Sequence, residues 1–307
     1  FLGRAAALAA AGPMSQAIAN DPPMLPIIDT HQHLWDVSKF RLPWIRKGDA
    51  LDRNYLMADY LKAAEGLNIV KTVYMEVAVD PAQHDAEAEY VIELCKRGDN
   101  PMAAAVISGR PASEGFKDYI SKYRGNPYIK GVRQVLHEPG TPPGTCLKET
   151  FIKNMRLLGE LGLSFDLCMR AAELRDAAQL VDACPNTRFI LDHCGNADVQ
   201  AKDRSQWQRD MRDIAKRKNV FCKISGIVAS AKPGAWKAND LAPIILHTAE
   251  AFGRDRILFA GDWPVCTRAA TLKQWVEALQ TTVADWSEAD RRKLFHDNAV
   301  RVYGLKT

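Results

Sequence analysis

No two cysteines in this chain form a Cys-x-x-Cys pair, and their number, seven, is odd. That excludes a cysteine zinc knuckle and speaks against a disulfide framework. Cys168, Cys194, Cys222 and Cys266 lie in apolar stretches and read as small core residues. After residue 24 no apolar run reaches the roughly 20 residues of a membrane span, so no span is expected. No Gly-x-Gly-x-x-Gly follows the first apolar stretch, and a dinucleotide-binding open sheet lacks its signature. A strong charge of one sign is missing too, since the formal net charge is +4. The basic clusters Lys216-Arg217-Lys218 and Arg291-Arg292-Lys293 fall among acidic residues. They read as solvated helix faces, and nucleic-acid binding is not expected. What is present is globular: 307 residues, 47% hydrophobic and 25% charged. That length suits one large α/β domain or two small ones.

Residues 1–24 differ in character from the rest. Phe1-Leu2-Gly3-Arg4 leads into the Ala-rich run Ala5–Ala11, and Ala17-Ile18-Ala19 is a small-x-small site. The segment resembles the part of a twin-arginine export signal just after its arginine pair. The expectation is a signal-like segment and a periplasmic or exported protein. The alternatives are a surface amphipathic helix or a disordered tail, with a cytoplasmic location.

From residue 25 to 307 apolar runs alternate with helical patterns, and a single domain is expected. The runs are Ile27–His33, Val70–Val77, Met102–Ile107, Ile129–Val135, Leu163–Met169, Arg188–His193, Val220–Ser225 and Arg256–Asp262. Each is nearly continuous in apolar residues, as in a parallel sheet buried on both faces. Helical patterns separate them, and Gln274–Gly304 reads as helices closing the structure. Eight such units in about 250 residues predict a (β/α)8 TIM barrel. A doubly wound open sheet is the rival.

A barrel keeps its chemistry at the C-terminal ends of its strands. The first run ends in His31 and His33, which share a face because i and i+2 point the same way. The others end in Glu76, Arg133, Asp192 with His193, Lys223 with Ser225, and Asp262 with Trp263. Titratable groups on so many strand ends point to a functional rim. Two long loops at that rim, Asp36–Asn54 with Arg41 and Trp44, and Glu138–Gly144, are candidate substrate walls.

The stretches Asp29-Thr-His-Gln-His-Leu-Trp35, Gly131-Val-Arg133, Leu191-Asp-His-Cys-Gly195, Cys222-Lys-Ile-Ser-Gly226, Arg256–Pro264 and Asn298-Ala-Val-Arg-Val-Tyr303, in this order, resemble the amidohydrolase superfamily. The likeness is to its amidohydrolase-related branch of lactone hydrolases, which act on fuconolactone, rhamnonolactone or 2-pyrone-4,6-dicarboxylate. It runs from about Ile27 to the C-terminus. The resemblance implies a centre of His31, His33, His193 and Asp262, with His31, His33 and Asp262 holding a divalent metal, commonly zinc, where one is used. The chain departs from many members in having no His at the end of the fifth run, which reads Phe165-Asp166-Leu167-Cys168-Met169. Some lactonases of the branch work without metal, so metal-assisted and metal-free versions both stand.

In both versions Asp262 deprotonates a water that attacks an ester carbonyl. Either the metal or the three histidines stabilise the developing oxyanion. The expected substrate is a small lactone, most plainly a hydroxylated aldonolactone, and a homo-oligomer is an expectation for such enzymes. A metal-dependent decarboxylase of the same superfamily and a non-catalytic ligand-binding barrel are the alternatives. Among supporting residues, Arg133 either clamps substrate or pairs with Glu76 or Asp166. Lys223 and Ser225 are rim ligands or core satisfiers. Trp35 and Trp263 stack on a sugar ring or pack beneath the loops. Asp192 is expected in a buried structural role, and His84, His137, His247 and His296 as structural.

Overall fold

The computed structural model describes residues 24–306. The signal-like segment Phe1–Ala19 lies outside the described residues. Eight parallel strands run in the order β1 to β8 around one sheet. They are β1 Ile27–Gln32, β2 Ile69–Met75, β3 Met102–Ser108, β4 Ile129–Val135, β5 Ser164–Cys168, β6 Arg188–Leu191, β7 Val220–Ile224 and β8 Ile257–Phe259. Helices occupy the crossovers, among them His84–Arg97, Glu149–Glu160, Leu174–Ala183, Ser205–Ile214 and Ala238–Phe252. The two ends of the sheet meet through the Thr30 hydroxyl, which donates to the Phe259 carbonyl at 2.6 Å. A bridge between Gln32 and Trp263 and a 2.8 Å bond from the His33 amide to the Trp263 carbonyl extend that seam. The architecture is the (β/α)8 barrel.

Two hydrophobic layers follow from the period-2 alternation of the strands. Outward residues such as Ile27, Tyr74, Ile107, Phe165 and Leu191 pack under the helix ring. Inward residues, Ile28, Val73, Ala104, Ile190, Phe221 and Leu258, form a second cluster with Ala299, Val302 and Tyr303. The C-terminal helix Asn298–Tyr303 therefore plugs the end of the barrel opposite the strand C-termini. Asn298 fixes it by donating to the carbonyls of Arg254 and Ile257, both at 2.8 Å. All seven cysteines are free and buried. Among the described residues no helix is long and apolar enough to cross a membrane.

Two of the strands that stop short of their apolar runs, β6 and β8, give way to left-handed backbone. β6 ends at Leu191, and His193, Cys194, Gly195 and Asn196 all take left-handed backbone. β8 ends at Phe259, and Asp262 has φ 52°. Such angles are uncommon for residues other than Gly and cluster at functional sites. The chain leaves the sheet there to aim particular side chains.

Candidate active site

Asp29, two residues before His31, organises the C-terminal rim. Its carboxylate is fully buried and accepts from the backbone amides of His31 at 3.0 Å and Gly261 at 2.7 Å, and from the Tyr60 hydroxyl at 2.9 Å. It ties the turn that carries Asp262 to the strand that carries both histidines. A Cβ on Gly261 would lie 2.4 Å from an Asp29 carboxylate oxygen, so only Gly lets the turn approach this closely. Burial raises the Asp29 carboxyl, and its three donors pull against that.

Four groups converge above this tie. The Asp262 carboxylate lies 3.4 Å from His33 Nε2 and 3.7 Å from His31 Nε2. The His31 ring centroid is 4.7 Å from that of His33 and 4.6 Å from that of His193. His33 Nδ1 faces the Met75 carbonyl at 2.9 Å. A carbonyl only accepts, so Nδ1 carries a hydrogen, and Nε2 is the nitrogen that faces Asp262. His193 Nδ1 meets the Ser225 hydroxyl at 2.9 Å. With the hydroxyl donating, His193 presents an N–H from Nε2. A Cβ on Gly226 would fall 2.4 Å from His193 Cγ, so that glycine leaves room for the ring. Burial holds His31 well below the ordinary imidazole range, and Lys223 adds to this while Asp192 opposes it. His31 is therefore neutral at pH 7.

Beneath the histidines lies a buried ionic layer. Arg133 is held from several sides: Nε donates to Glu76 Oε1 at 2.7 Å and Nη2 to the Glu76 carbonyl at 2.6 Å. Its Nη1 faces His31 Nε2 at 3.1 Å and Asp192 at 3.4 Å. Lys223 Nζ contacts Asp166 at 2.5 Å and Asp192 at 3.2 Å. Both Asp166 and Lys223 are fully buried. Burial raises the Asp166 carboxyl, and the Lys223 ammonium works against it.

This layer decides several sequence expectations. Arg133 takes the pairing option, with Glu76 and not Asp166, although its edge still lines the cleft. Glu76 and Lys223 lie under the cleft and not on its lining, so they hold the floor and are out of a ligand's reach. Trp35 is fully buried, packs against Trp44 and Tyr55, and donates to the Arg53 carbonyl. Trp263 is wedged against Tyr55 and Tyr60 and borders a separate surface groove. Neither tryptophan reaches the cleft, because both sit below the loops. The tryptophan that does line the cleft is Trp44. His137, expected to be structural, lines it as well.

The cleft measures about 320 Å³, a size suited to a small ring. His33, His193, Arg133 and Asp262 are among its lining residues. A carboxylate beside imidazoles at one cleft is an arrangement that can transfer protons. A family model described as "Amidohydrolase" matches residues 28–305, and the chain belongs to that family. It is 27% identical over 297 residues to an L-fucono-1,5-lactonase of Burkholderia multivorans, covering 91% of this chain and 96% of that one. It is 23% identical over 335 residues to an L-rhamnono-gamma-lactonase of Scheffersomyces stipitis, covering 91% and 98%. An amidohydrolase of Burkholderia multivorans solved with bound zinc shares the fold. Its TM-score is 0.80 at 24% identity, over 91% of this chain and 99% of that structure.

Proposed function

We propose that this protein opens the ring of a small hydroxylated lactone by attack of water on the ester carbonyl. The observation that carries the reading is the Asp262 carboxylate facing His31 and His33 at the edge of a ring-sized cleft. Asp262 takes the proton of the attacking water. His193, with Ser225 donating to its Nδ1, offers its Nε2 hydrogen to the developing oxyanion. Ring opening breaks the acyl C–O bond, and the alkoxide regains the proton from Asp262.

The donor set suits a divalent ion. His33 Nε2 lies 3.4 Å from the Asp262 carboxylate, and in neutral His33 that nitrogen is an acceptor, so the pair calls for a proton or a cation between them. His31, His33 and Asp262 offer ligand atoms within 4.8 Å of one another. The His31 lone pair is shared with Arg133, so the guanidinium competes at that position. Bound zinc would acidify water and polarise the carbonyl. Purified enzyme is expected to contain near-stoichiometric metal and to lose turnover reversibly on chelation. Full activity in protein verified as metal-free would assign the cation's place to a proton on His33.

Product analysis tests the reaction itself. Lactone opening yields one acid per turnover and no CO₂, whereas release of CO₂ from a carboxylated substrate would point to a decarboxylase. The role of His193 has its own check. Gly226→Ala pushes a Cβ into the imidazole. A misplacement of this kind is expected to lower kcat by about 10²-fold. Unchanged steady-state kinetics in that variant would mean the ring is not held for chemistry.

A further inference from the structure

The cleft contains a carboxylate that ring opening does not use. Glu138 lines it, half-buried, and its carboxylate makes no hydrogen bond or ion pair among the described residues. The cations beside it are already engaged. Arg133 is spent on Glu76, Asp192 and His31. Arg170, on the adjoining part of the cleft, is spent on the carbonyls of Leu136, Glu138 and Thr141 and on Glu173. It staples the Glu138–Gly144 loop in place. Burial pushes the Glu138 carboxyl up from its ordinary range, and Arg110 pulls against that; Arg110 does not line the cleft and donates to its neighbouring Gly109 carbonyl.

Facing the same space is an apolar wall of Trp44, Val77, Val135 and Val265. The Trp44 indole N–H is occupied by the Val77 carbonyl at 2.7 Å, so the ring offers only its apolar surface. A carboxylate partly withdrawn from water with no cation attached seeks hydrogen-bond donors and repels anions. Hydroxyl groups are donors, and substrate carboxylates are not.

We propose that Glu138 is a specificity residue: it accepts hydrogen bonds from the hydroxyls of a neutral lactone and turns away lactones with an anionic substituent. The proposal rests on the lactone-opening reading and deepens it. Trp44 and the valines pack the carbon skeleton while Glu138 reads the hydroxyl edge.

The test uses a matched pair: an aldonolactone, and the aldarolactone of the same ring size in which a terminal CH₂OH is replaced by a carboxylate. Wild type is expected to favour the neutral member in kcat/KM by at least about tenfold, since like charges brought together oppose binding. Glu138→Gln keeps an acceptor oxygen and loses the charge. It should close most of that gap by raising kcat/KM for the anionic lactone, and Glu138→Lys should reverse the preference. A wild-type preference for the anion, or a ratio that Glu138→Gln leaves unchanged, overturns the proposal. The corresponding neutral and carboxylated lactams, which bind without opening, report the same selectivity by calorimetry. Were no lactone opened, the hydrolytic reading would fall, and the lactams would still decide. Equal affinity for both, or binding of neither, removes Glu138 from the specificity role.

Discussion

Replacing Asp262 with asparagine is expected to lower kcat by about 10² to 10⁴, the usual loss when a general base is removed. Asn keeps the size and one acceptor oxygen but cannot take a proton from water. The backbone tolerates it: Asp262 sits at φ 52°, where Asn is among the accommodating residues. The charge of Asp262 also adds to the cost of ionising the buried Asp29, so neutralising it relieves strain on the tie to Gly261. Folding stability should therefore change little. Substrate binding should weaken less than turnover, because the lost interaction matters most in the transition state. Asp192→Asn is the control. Asp192 balances Lys223 and Arg133 and faces His31 from full burial, and its neutralisation should cost stability before chemistry. Steady-state kinetics and denaturant midpoints on both variants separate the two roles. Near wild-type turnover in Asp262→Asn together with an inactive, stable Asp192→Asn would move the base to the β6 end.

The barrel was legible because eight apolar runs alternate with helical patterns, and burial on both faces leaves a parallel strand no polar positions to disguise it. The site residues were legible as a set because a period of two places His31 and His33 on one face. Depth was not legible. Alternation says which way a side chain points but not whether another side chain lies above it. Glu76 and Lys223 were thus placed at the rim when they lie beneath the histidines. The ends of β6 and β8 were over-extended for a related reason. His193 and Asp262 leave the sheet through left-handed backbone that neither residue type announces. Asp29 was missed as the organiser, because the register shifts between Asp29 and Gln32 and simple alternation does not relate its side chain to that of His31. What also hides it is that its partners, Gly261 and Tyr60, are remote in sequence. Trp44 and Trp35 share a composition signal, and only the fold sorts the one in the cleft from the one in the core.

Lys223→Met is expected to destabilise the protein by about 3–5 kcal/mol, the range for removing one partner of a buried ion pair. Methionine matches the aliphatic stem, so little cavity is created and the loss reports charge. Lys223 is fully buried and is the only cation that contacts Asp166 among the described residues. One Asp166 oxygen already lacks a hydrogen-bond partner. With the ammonium gone, Asp166 must stay charged in the barrel interior or take up a proton. Asp192 keeps Arg133 at 3.4 Å and His31 at 3.5 Å, so it is the less exposed of the two to the loss. The double variant Lys223→Met/Asp166→Leu removes both charges, and apolar replacement of a buried pair is often neutral or stabilising. It should recover at least half of the lost stability, measured as the shift in urea midpoint at pH 7. The single variant should also regain stability as the pH falls, because the orphaned Asp166 can then fold protonated. A double variant no more stable than the single one would show that Lys223 stabilises the barrel through Asp192 and His31, and that Asp166 is a bystander.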